Sequence, residues 1–304
     1  MAKLSSSEKN LKKTPKSKWR ATMEITRFNK PIGNFLLLAP TLWGVMLANR
    51  GFPDLSILLI FTSGAFIMRS AGCVANDLAD RNLDGYVERT RNRPLVIGTL
   101  KVGEAIIILS TLLAIALSLV IMTNSLTIKL SLVGVFLALV YPLTKRVTYF
   151  PQIILGLAFS WSIPMAYTAS LNALPPSLWW LFVANVLWTV IYDTQYAMVD
   201  REDDLKVGIK STAILFGEFD VRLVGLLQAL CLMAFWQFGL VSKLGLAYFC
   251  SVTIVAGLFL WHLYLIKDRE TKKCFTAFNQ SKWIGLIILL GICTNFWIPL
   301  GSFS

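Results

Sequence analysis

The chain has 304 residues, of which 56% are hydrophobic and 15% are charged, and its mean hydropathy is +0.63. A soluble domain carries about 25% charged residues, so this composition excludes an ordinary soluble protein. The net charge of +12 does not indicate a nucleic-acid partner, because the basic residues lie between apolar runs rather than in one patch. The sequence predicts an all-α, polytopic membrane protein.

The first 22 residues are rich in lysine, and no cleavable signal pattern follows them. We expect residues 1–22 to form a disordered cytoplasmic tail and residues 23–304 to form a membrane domain. Nine apolar runs of that domain come close to the roughly 20 residues that a helix needs to cross a bilayer. These predicted spans are residues 31–49, 55–75, 104–122, 126–143, 150–171, 177–196, 221–241, 245–266 and 283–301.

The lysine and arginine residues predict how the spans are oriented. With the N-terminus inside, all of the 29 basic residues except Arg50, Lys129 and Lys243 fall on the cytoplasmic side. Connections rich in lysine and arginine remain in the cytoplasm. We therefore predict a cytoplasmic N-terminus and an external C-terminus. The expected location is a bacterial inner membrane, with a thylakoid or organellar membrane as the alternative.

Three aspartates stand at the cytoplasmic end of the second span. Asp77, Asp80 and Asp84 are three and four residues apart, and Asn76 precedes them. On a helix, which turns about 100° per residue, all three carboxylates share one face. A cluster of acids at the mouth of an apolar helix requires a cation, a metal or a polar cavity as its partner.

A second acidic cluster ends the sixth span, on the same side of the membrane. Residues 192–204 read YDTQYAMVDREDD. Asp193, Asp200 and Asp204 are seven and four residues apart, which places them on one line of a helix, whereas Asp203 points elsewhere. The two clusters therefore predict two acidic walls that face each other.

Facing aspartate walls have a specific chemical use. Carboxylate oxygens suit Mg²⁺, which often binds substrate phosphates beside one or two carboxylates. We therefore predict a site for a Mg²⁺-bound diphosphate, which becomes a good leaving group there. Nearby basic residues would complete the clamp; they are Arg89, Arg91, Arg93, Lys145, Arg146, Lys206 and Lys210.

Two other interpretations of the acids remain open at this point. The aspartates could be a solvated surface that balances neighbouring arginines, or they could belong to a cation-coupled transporter. Transport sites usually lie near the middle of the bilayer. These acids lie at its edge, which favours a site that opens to the cytosol.

The chain also resembles the UbiA-type intramembrane aromatic prenyltransferases, and in particular the 4-hydroxybenzoate polyprenyltransferase branch. The first family motif, NDxxDxxxD, is complete from Asn76 to Asp84, and the second, DxxxD, matches Asp200 and Asp204. A YxxxK element matches Tyr141 and Lys145. The opening RFNKPIG, residues 27–33, is similar to the entry of that branch's first helix.

The resemblance, over about residues 24–300, implies a fold and an activity. We expect nine transmembrane helices around a central cavity, with Mg²⁺ as the cofactor and an isoprenoid tail along a lipid-facing tunnel. The implied reaction transfers a polyprenyl group from polyprenyl diphosphate to a ring carbon of 4-hydroxybenzoate, for ubiquinone or plastoquinone biosynthesis. Alternative acceptors are homogentisate, a dihydroxynaphthoate or a tetrapyrrole.

Residue roles follow as hypotheses from the motifs and the resemblance. Tyr141 or Tyr196 would stabilise a carbocation-like carbon, and Asp193 would hold the phenol or take its proton. The expected metal ligands are Asn76, Asp77, Asp80, Asp84, Asp200 and Asp204. The expected diphosphate contacts are Arg93, Lys145 and Lys210. The candidates for binding the acceptor are Arg27, Asn34, Arg69 and Arg146.

Overall fold

The computed structural model describes residues 17–29, 31–87 and 89–298. All of the regular structure in these residues is helical, as the composition predicts. The α-helices are α1 Lys18–Ile25, α2 Ile32–Ala48, α3 Leu55–Asp80, α4 Val102–Ile121, α5 Ser125–Thr144, α6 Pro151–Ser160, α7 Ser162–Leu171, α8 Leu178–Val207, α9 Thr212–Phe216, α10 Asp220–Val241, α11 Leu246–Ile266 and α12 Thr271–Trp297. Short 3-10 turns lie at Asp84–Tyr86 and Gly217–Phe219.

The predicted tail ends in a helix. Residues 1–16 lie outside the described part of the chain, but α1 begins at Lys18, where the side chain of Ser17 accepts a hydrogen bond from the backbone of Arg20. Ala21 and Ile25 of α1 are buried in an apolar cluster with residues of α3 and α4. Residues 18–22 therefore belong to the packed domain, because the apolar face of α1 needs cover.

Seven helical segments in the described residues are long and apolar enough to cross a membrane, which makes the protein an integral, multi-pass membrane protein. They are Leu55–Asp80, Val102–Ile121, Ser125–Thr144, Pro151–Leu171, Thr212–Val241, Leu246–Ile266 and Thr271–Trp297. Two further predicted spans coincide with α2, which has 17 residues, and with α8, which carries the second acidic cluster.

The last span begins earlier than predicted. We expected it to start at residue 283, but α12 starts at Thr271. Its first turns are amphipathic: Cys274, Ala277 and Ser281 are buried at three- and four-residue spacing, so the lysines of this stretch do not prevent a helix. The predicted end at residue 301 lies outside the described residues.

The fifth predicted span is divided into α6 and α7. Pro164 has no N–H to donate to the carbonyl of Ser160, and its ring crowds that carbonyl, so the helix is interrupted at Trp161. The hydroxyl of Ser160 is buried and accepts a hydrogen bond of 2.8 Å from the side chain of Asn185 on α8. This bond joins the interruption to the neighbouring helix.

The long helices form a closed ring in the order α2, α3, α4, α5, α6–α7, α8, α10, α11 and α12, with α12 packed against α2. A buried aromatic pair, Trp43 of α2 and Trp188 of α8, packs with ring centroids 5.4 Å apart. Trp43 donates a 2.9 Å hydrogen bond to the carbonyl of Gly285 on α12. A Cβ at Gly285 would lie 2.8 Å from a ring atom of Trp188. The close approach of α12 to this pair therefore requires glycine at position 285.

A buried ion-pair network secures the C-terminal end of α8. Asp220, at the start of α10, is fully buried and binds Arg201 on α8. It also accepts hydrogen bonds from Arg269, in the α11–α12 connection, at 3.0 and 3.2 Å. The network therefore joins three elements immediately behind Asp200.

Candidate active site

A cavity of about 1280 Å³ lies inside the ring. Residues of α2, α3, α4, α5, α6, α7, α8 and α12 line it. One end of it is lined by both acidic clusters and by basic side chains. Its far end is apolar, with lining residues that include Leu113, Leu117, Val120, Leu132, Val135 and Met165.

Asp77 is the most enclosed acid of the first wall, with 1% of its surface exposed. Its Oδ1 accepts a 2.7 Å hydrogen bond from Nη2 of Arg27, and Nη1 of Arg93 lies 3.1 Å away. Its Oδ2 is buried without a hydrogen-bond partner. One face of this carboxylate is therefore neutralised, and the other is available to a ligand.

Asp80 closes α3 one turn later, and it is also buried. Its Oδ2 is paired with the ammonium group of Lys145, at the end of α5. Its Oδ1 is buried without a hydrogen-bond partner, with Nη2 of Arg146 at 3.9 Å. The predicted YxxxK lysine thus reaches the first motif directly.

Asp84 does not lie on the helix that we predicted for it. Because α3 ends at Asp80, Asp84 falls in a 3-10 turn, and its Oδ2 accepts a 2.6 Å hydrogen bond from Arg93. Burial raises the pKa of Asp84 above its ordinary value, while the guanidinium of Arg93 opposes that shift. Arg93 therefore bridges Asp77 and Asp84, which replaces the helical stacking that we expected.

The second wall is a single helix, as predicted. Asp193, Asp200 and Asp204 all lie on α8 and line the cavity, whereas Asp203 pairs with Lys206 on the exposed side. Asp193 lies two turns deeper than Asp200. The wall therefore offers carboxylates at two depths of the cavity.

Arg89 joins the two walls, and the sequence did not distinguish it from its neighbouring arginines. Its Nε and Nη2 donate to the two carboxylate oxygens of Asp200 at 3.1 and 2.6 Å. Its guanidinium also lies 5.0 Å from the ring centre of Tyr196. Burial alone would lower the pKa of Arg89, but Tyr196 and Asp200 raise this pKa by more than burial lowers it. The net shift is upward, so the side chain remains charged. A loop after α3 therefore reaches across the cavity mouth to α8.

Tyr141 and Tyr196 both line the cavity, but their rings have different surroundings. Tyr196 is covered by Arg89 and by Phe278, whose ring centre lies 4.6 Å away. Among the described residues, no aromatic or cation–π contact covers the ring of Tyr141. The ring of Tyr141 is therefore the less covered of the two.

Lys210 lies at the edge of the cavity, where its side chain already has partners. Its ammonium group donates a 3.2 Å hydrogen bond to the carbonyl of Val147 and lies 5.3 Å from the ring centre of Tyr149. Its backbone N–H also donates to the carbonyl of Lys145 at 2.9 Å. Lys210 lines the cavity, but in this arrangement its charge is directed to the connection after α5.

The four candidates for binding the acceptor are placed differently. Arg27 binds Asp77, and Arg69 projects into the cavity from α3. Asn34 and Arg146 do not line the cavity, and Arg146 instead donates a hydrogen bond to the carbonyl of Ala79. Arg69 forms no ion pair with any described residue, and its Nε is buried without a partner. It is thus the candidate whose charge is free for a ligand.

The donor set fits Mg²⁺. In the part of the chain that the structure describes, no three acidic, cysteine or histidine side chains form a preassembled metal site. Mg²⁺ does not require one, because it commonly keeps several waters and combines one or two carboxylates with substrate phosphates. The unpartnered Oδ2 of Asp77 and Oδ1 of Asp80 are suitable hard ligands.

Comparison with known proteins places the chain in a family. A family model described as the UbiA prenyltransferase family matches residues 37–290. The chain belongs to the UbiA prenyltransferase family. It is 51% identical over 280 residues to the 4-hydroxybenzoate octaprenyltransferase of Vibrio cholerae. This alignment covers 92% of this chain and 99% of the relative. It is 52% identical over 281 residues to the enzyme of the same name from Psychromonas ingrahamii, with 92% and 98% coverage.

Solved structures of the UbiA family share the fold. A UbiA homologue from Aeropyrum pernix K1 matches with a TM-score of 0.76 and 23% identity, over 85% of this chain and 96% of that one. A homologue from Archaeoglobus fulgidus, solved with GPP and Mg²⁺, matches with a TM-score of 0.72 and 17% identity, over 90% and 99%. At these identities the likeness shows the fold, and the sequence relatives show the family.

Proposed function

We propose that the protein transfers a polyprenyl group from polyprenyl diphosphate to a ring carbon of 4-hydroxybenzoate, in a Mg²⁺-dependent reaction of quinone biosynthesis. The two facing acidic walls, each with cations within hydrogen-bond reach, are the observation that carries the proposal. Two relatives of about 50% identity are named 4-hydroxybenzoate octaprenyltransferases, and the Archaeoglobus homologue was solved with GPP and Mg²⁺.

The walls would hold Mg²⁺ through Asp77, Asp80, Asp84, Asp200 and Asp204, with Asn76 as a neutral donor. When bound, the metal neutralises the charge that develops on the diphosphate as the C–O bond breaks. Basic side chains of the protein would also neutralise the charge that develops on the diphosphate. Arg89, Arg93 and Lys145 now bind carboxylates. These three side chains would exchange part of that contact for phosphate oxygens, with Lys210 at the edge of the cavity.

The apolar part of the cavity would receive the isoprenoid tail. The same walls exclude water, so an allylic cation would not be hydrolysed before the acceptor attacks it. The ring of Tyr141, which is less covered than that of Tyr196, would stabilise that cation through its face.

The acceptor would lie between Arg69 and Asp193. Arg69 supplies a cation for the carboxylate of 4-hydroxybenzoate, and Asp193 is close enough to Arg69 to interact with it electrostatically. Asp193 would then accept a hydrogen bond from the phenol or take the proton that leaves the ring.

We also propose nine crossings, with α2 and α8 added to the seven long apolar segments. The basic connections then lie in the cytoplasm, so both acidic walls open to the cytoplasmic face of a bacterial inner membrane.

The test is a direct assay of the purified protein in lipid nanodiscs. Octaprenyl diphosphate, 4-hydroxybenzoate and Mg²⁺ should give octaprenyl-4-hydroxybenzoate and diphosphate, detected by mass spectrometry, and EDTA should stop the reaction. Homogentisate and a dihydroxynaphthoate serve as competing acceptors. If a folded sample gave no prenylated 4-hydroxybenzoate, or preferred a competitor, the proposal would be wrong.

A further inference from the structure

The entry of α2 contains a glycine that is in close contact with the free arginine of the cavity. Gly33, at the end of the RFNKPIG stretch, lines the cavity beside Arg69 of α3. A Cβ built on Gly33 would lie 2.5 Å from Nη2 and 2.8 Å from Cζ of Arg69, and it would also clash with Nε. The guanidinium therefore occupies the space that a side chain at position 33 would fill.

An aromatic ring is a second neighbour of the guanidinium. Cζ of Arg69 lies 6.0 Å from the ring centre of Phe159, on α6. The charged group thus has both the backbone of α2 and an aromatic ring as neighbours. Since no described residue forms an ion pair with it, these two contacts limit where the guanidinium can lie.

We infer that Gly33 is a positioning residue for the acceptor, acting through Arg69. The inference rests on the proposed role of Arg69 in binding the acceptor carboxylate. Adding one methyl group at position 33 would force the guanidinium to move by about 1 Å, because non-bonded atoms settle roughly 3.5 Å apart. A misplacement of about 1 Å can reduce a rate by about 100-fold.

The substitution Gly33→Ala is a mild test, because the atoms that must move are the end of a flexible side chain. Alanine is also the better helix former, by about 1 kcal/mol. We therefore expect Gly33→Ala to fold and to raise the KM for 4-hydroxybenzoate at least tenfold. The KM for octaprenyl diphosphate and the Mg²⁺ concentration for half-maximal rate should remain within twofold of the wild-type values.

Two further variants complete the experiment. Gly257→Ala is the matched control, since Gly257 is an exposed residue of α11 outside the cavity, and a Cβ there meets no atom within 4 Å. The Arg69→Ala background tests the mechanism: there, Gly33→Ala should change the KM for 4-hydroxybenzoate by less than twofold, since the side chain that it displaces is absent.

The outcomes distinguish a failure of this inference from a failure of the proposed role of Arg69 in binding the acceptor. If Arg69→Ala leaves the KM for 4-hydroxybenzoate unchanged, the acceptor role of Arg69 is wrong and the inference falls with it. If Arg69→Ala raises that KM but Gly33→Ala does not, the inference alone is overturned. An equal effect of Gly33→Ala in both backgrounds, or an equal rise in the KM for both substrates, would also overturn it.

Discussion

Arg89 binds Asp200 with both ends of its guanidinium fork, across the mouth of the cavity. The N–O distances are 3.1 and 2.6 Å, and the contact joins the loop after α3 to α8. It therefore covers an acid that, in our proposal, holds the metal. A diphosphate that enters must draw Arg89 at least partly away from Asp200.

We expect Arg89→Ala to weaken binding of the prenyl substrate. A charge-assisted hydrogen bond contributes about 1.5–3 kcal/mol, so the KM for octaprenyl diphosphate should rise by roughly 10-fold to 100-fold. The KM for 4-hydroxybenzoate should not change, because Arg89 lies at the mouth rather than beside Arg69. Steady-state kinetics with each substrate varied in turn would measure both; a lower KM for the diphosphate would show that Arg89 only blocks the site.

Arg93 should be necessary for the first wall to form without metal. It lies 3.1 Å from Asp77 and 2.6 Å from Asp84, so Arg93→Ala leaves two acids facing each other with less compensation. We expect a lower thermal midpoint in EDTA and a larger rise of that midpoint on addition of Mg²⁺ than in the wild type. Equal Mg²⁺-induced shifts in the two proteins would contradict a shared role of Arg93 and the metal.

Asp193 should act in the chemical step. A positioned acid or base contributes roughly 100-fold to 10,000-fold, so Asp193→Asn should reduce kcat by at least 100-fold. The KM for octaprenyl diphosphate should change by less than threefold, because Asp193 lies two turns deeper than Asp200. A variant with normal kcat would exclude Asp193 from phenol binding and proton transfer.

Asp220 should matter for stability. It is fully buried between Arg201 and Arg269, and removal of one partner from a buried ionic group is destabilising by about 3 kcal/mol. Asp220→Asn should therefore lower the free energy of unfolding measured in detergent. Lys206→Ala breaks an exposed pair with Asp203 at the same helix end, and it should have an effect below about 1 kcal/mol. Equal effects of the two variants would show that the network does not secure α8.

Much of the fold could be predicted because apolar runs of membrane length leave few alternatives to helices. The helices α4, α5, α10 and α11 begin and end within two residues of their predicted spans. The start of α12 could not be predicted, because its lysines suggested a loop while its buried face depends on packing against neighbouring helices. The interruption at Trp161 has a local signal in Pro164 that hydropathy alone does not register.

The site was predictable where local periodicity governs it. Asp193, Asp200 and Asp204 lie on α8 as their spacing indicates, and Lys145 reaches Asp80. Asp84 departs from its predicted helix because α3 ends first. The pairing of Arg89 with Asp200 depends on how a loop folds over a distance of 111 residues, and periodicity contains no information on that.

The most direct test of the central claim, that both walls hold one Mg²⁺-bound diphosphate, is equilibrium binding of a radiolabelled, non-cleavable prenyl thiodiphosphate. The wild type should bind it with Mg²⁺ and lose it in EDTA. Asp77→Asn and Asp200→Asn should each abolish binding in samples that remain folded, and the double variant should be no worse. Wild-type affinity in either single variant, or metal-independent binding by the wild type, would contradict the claim.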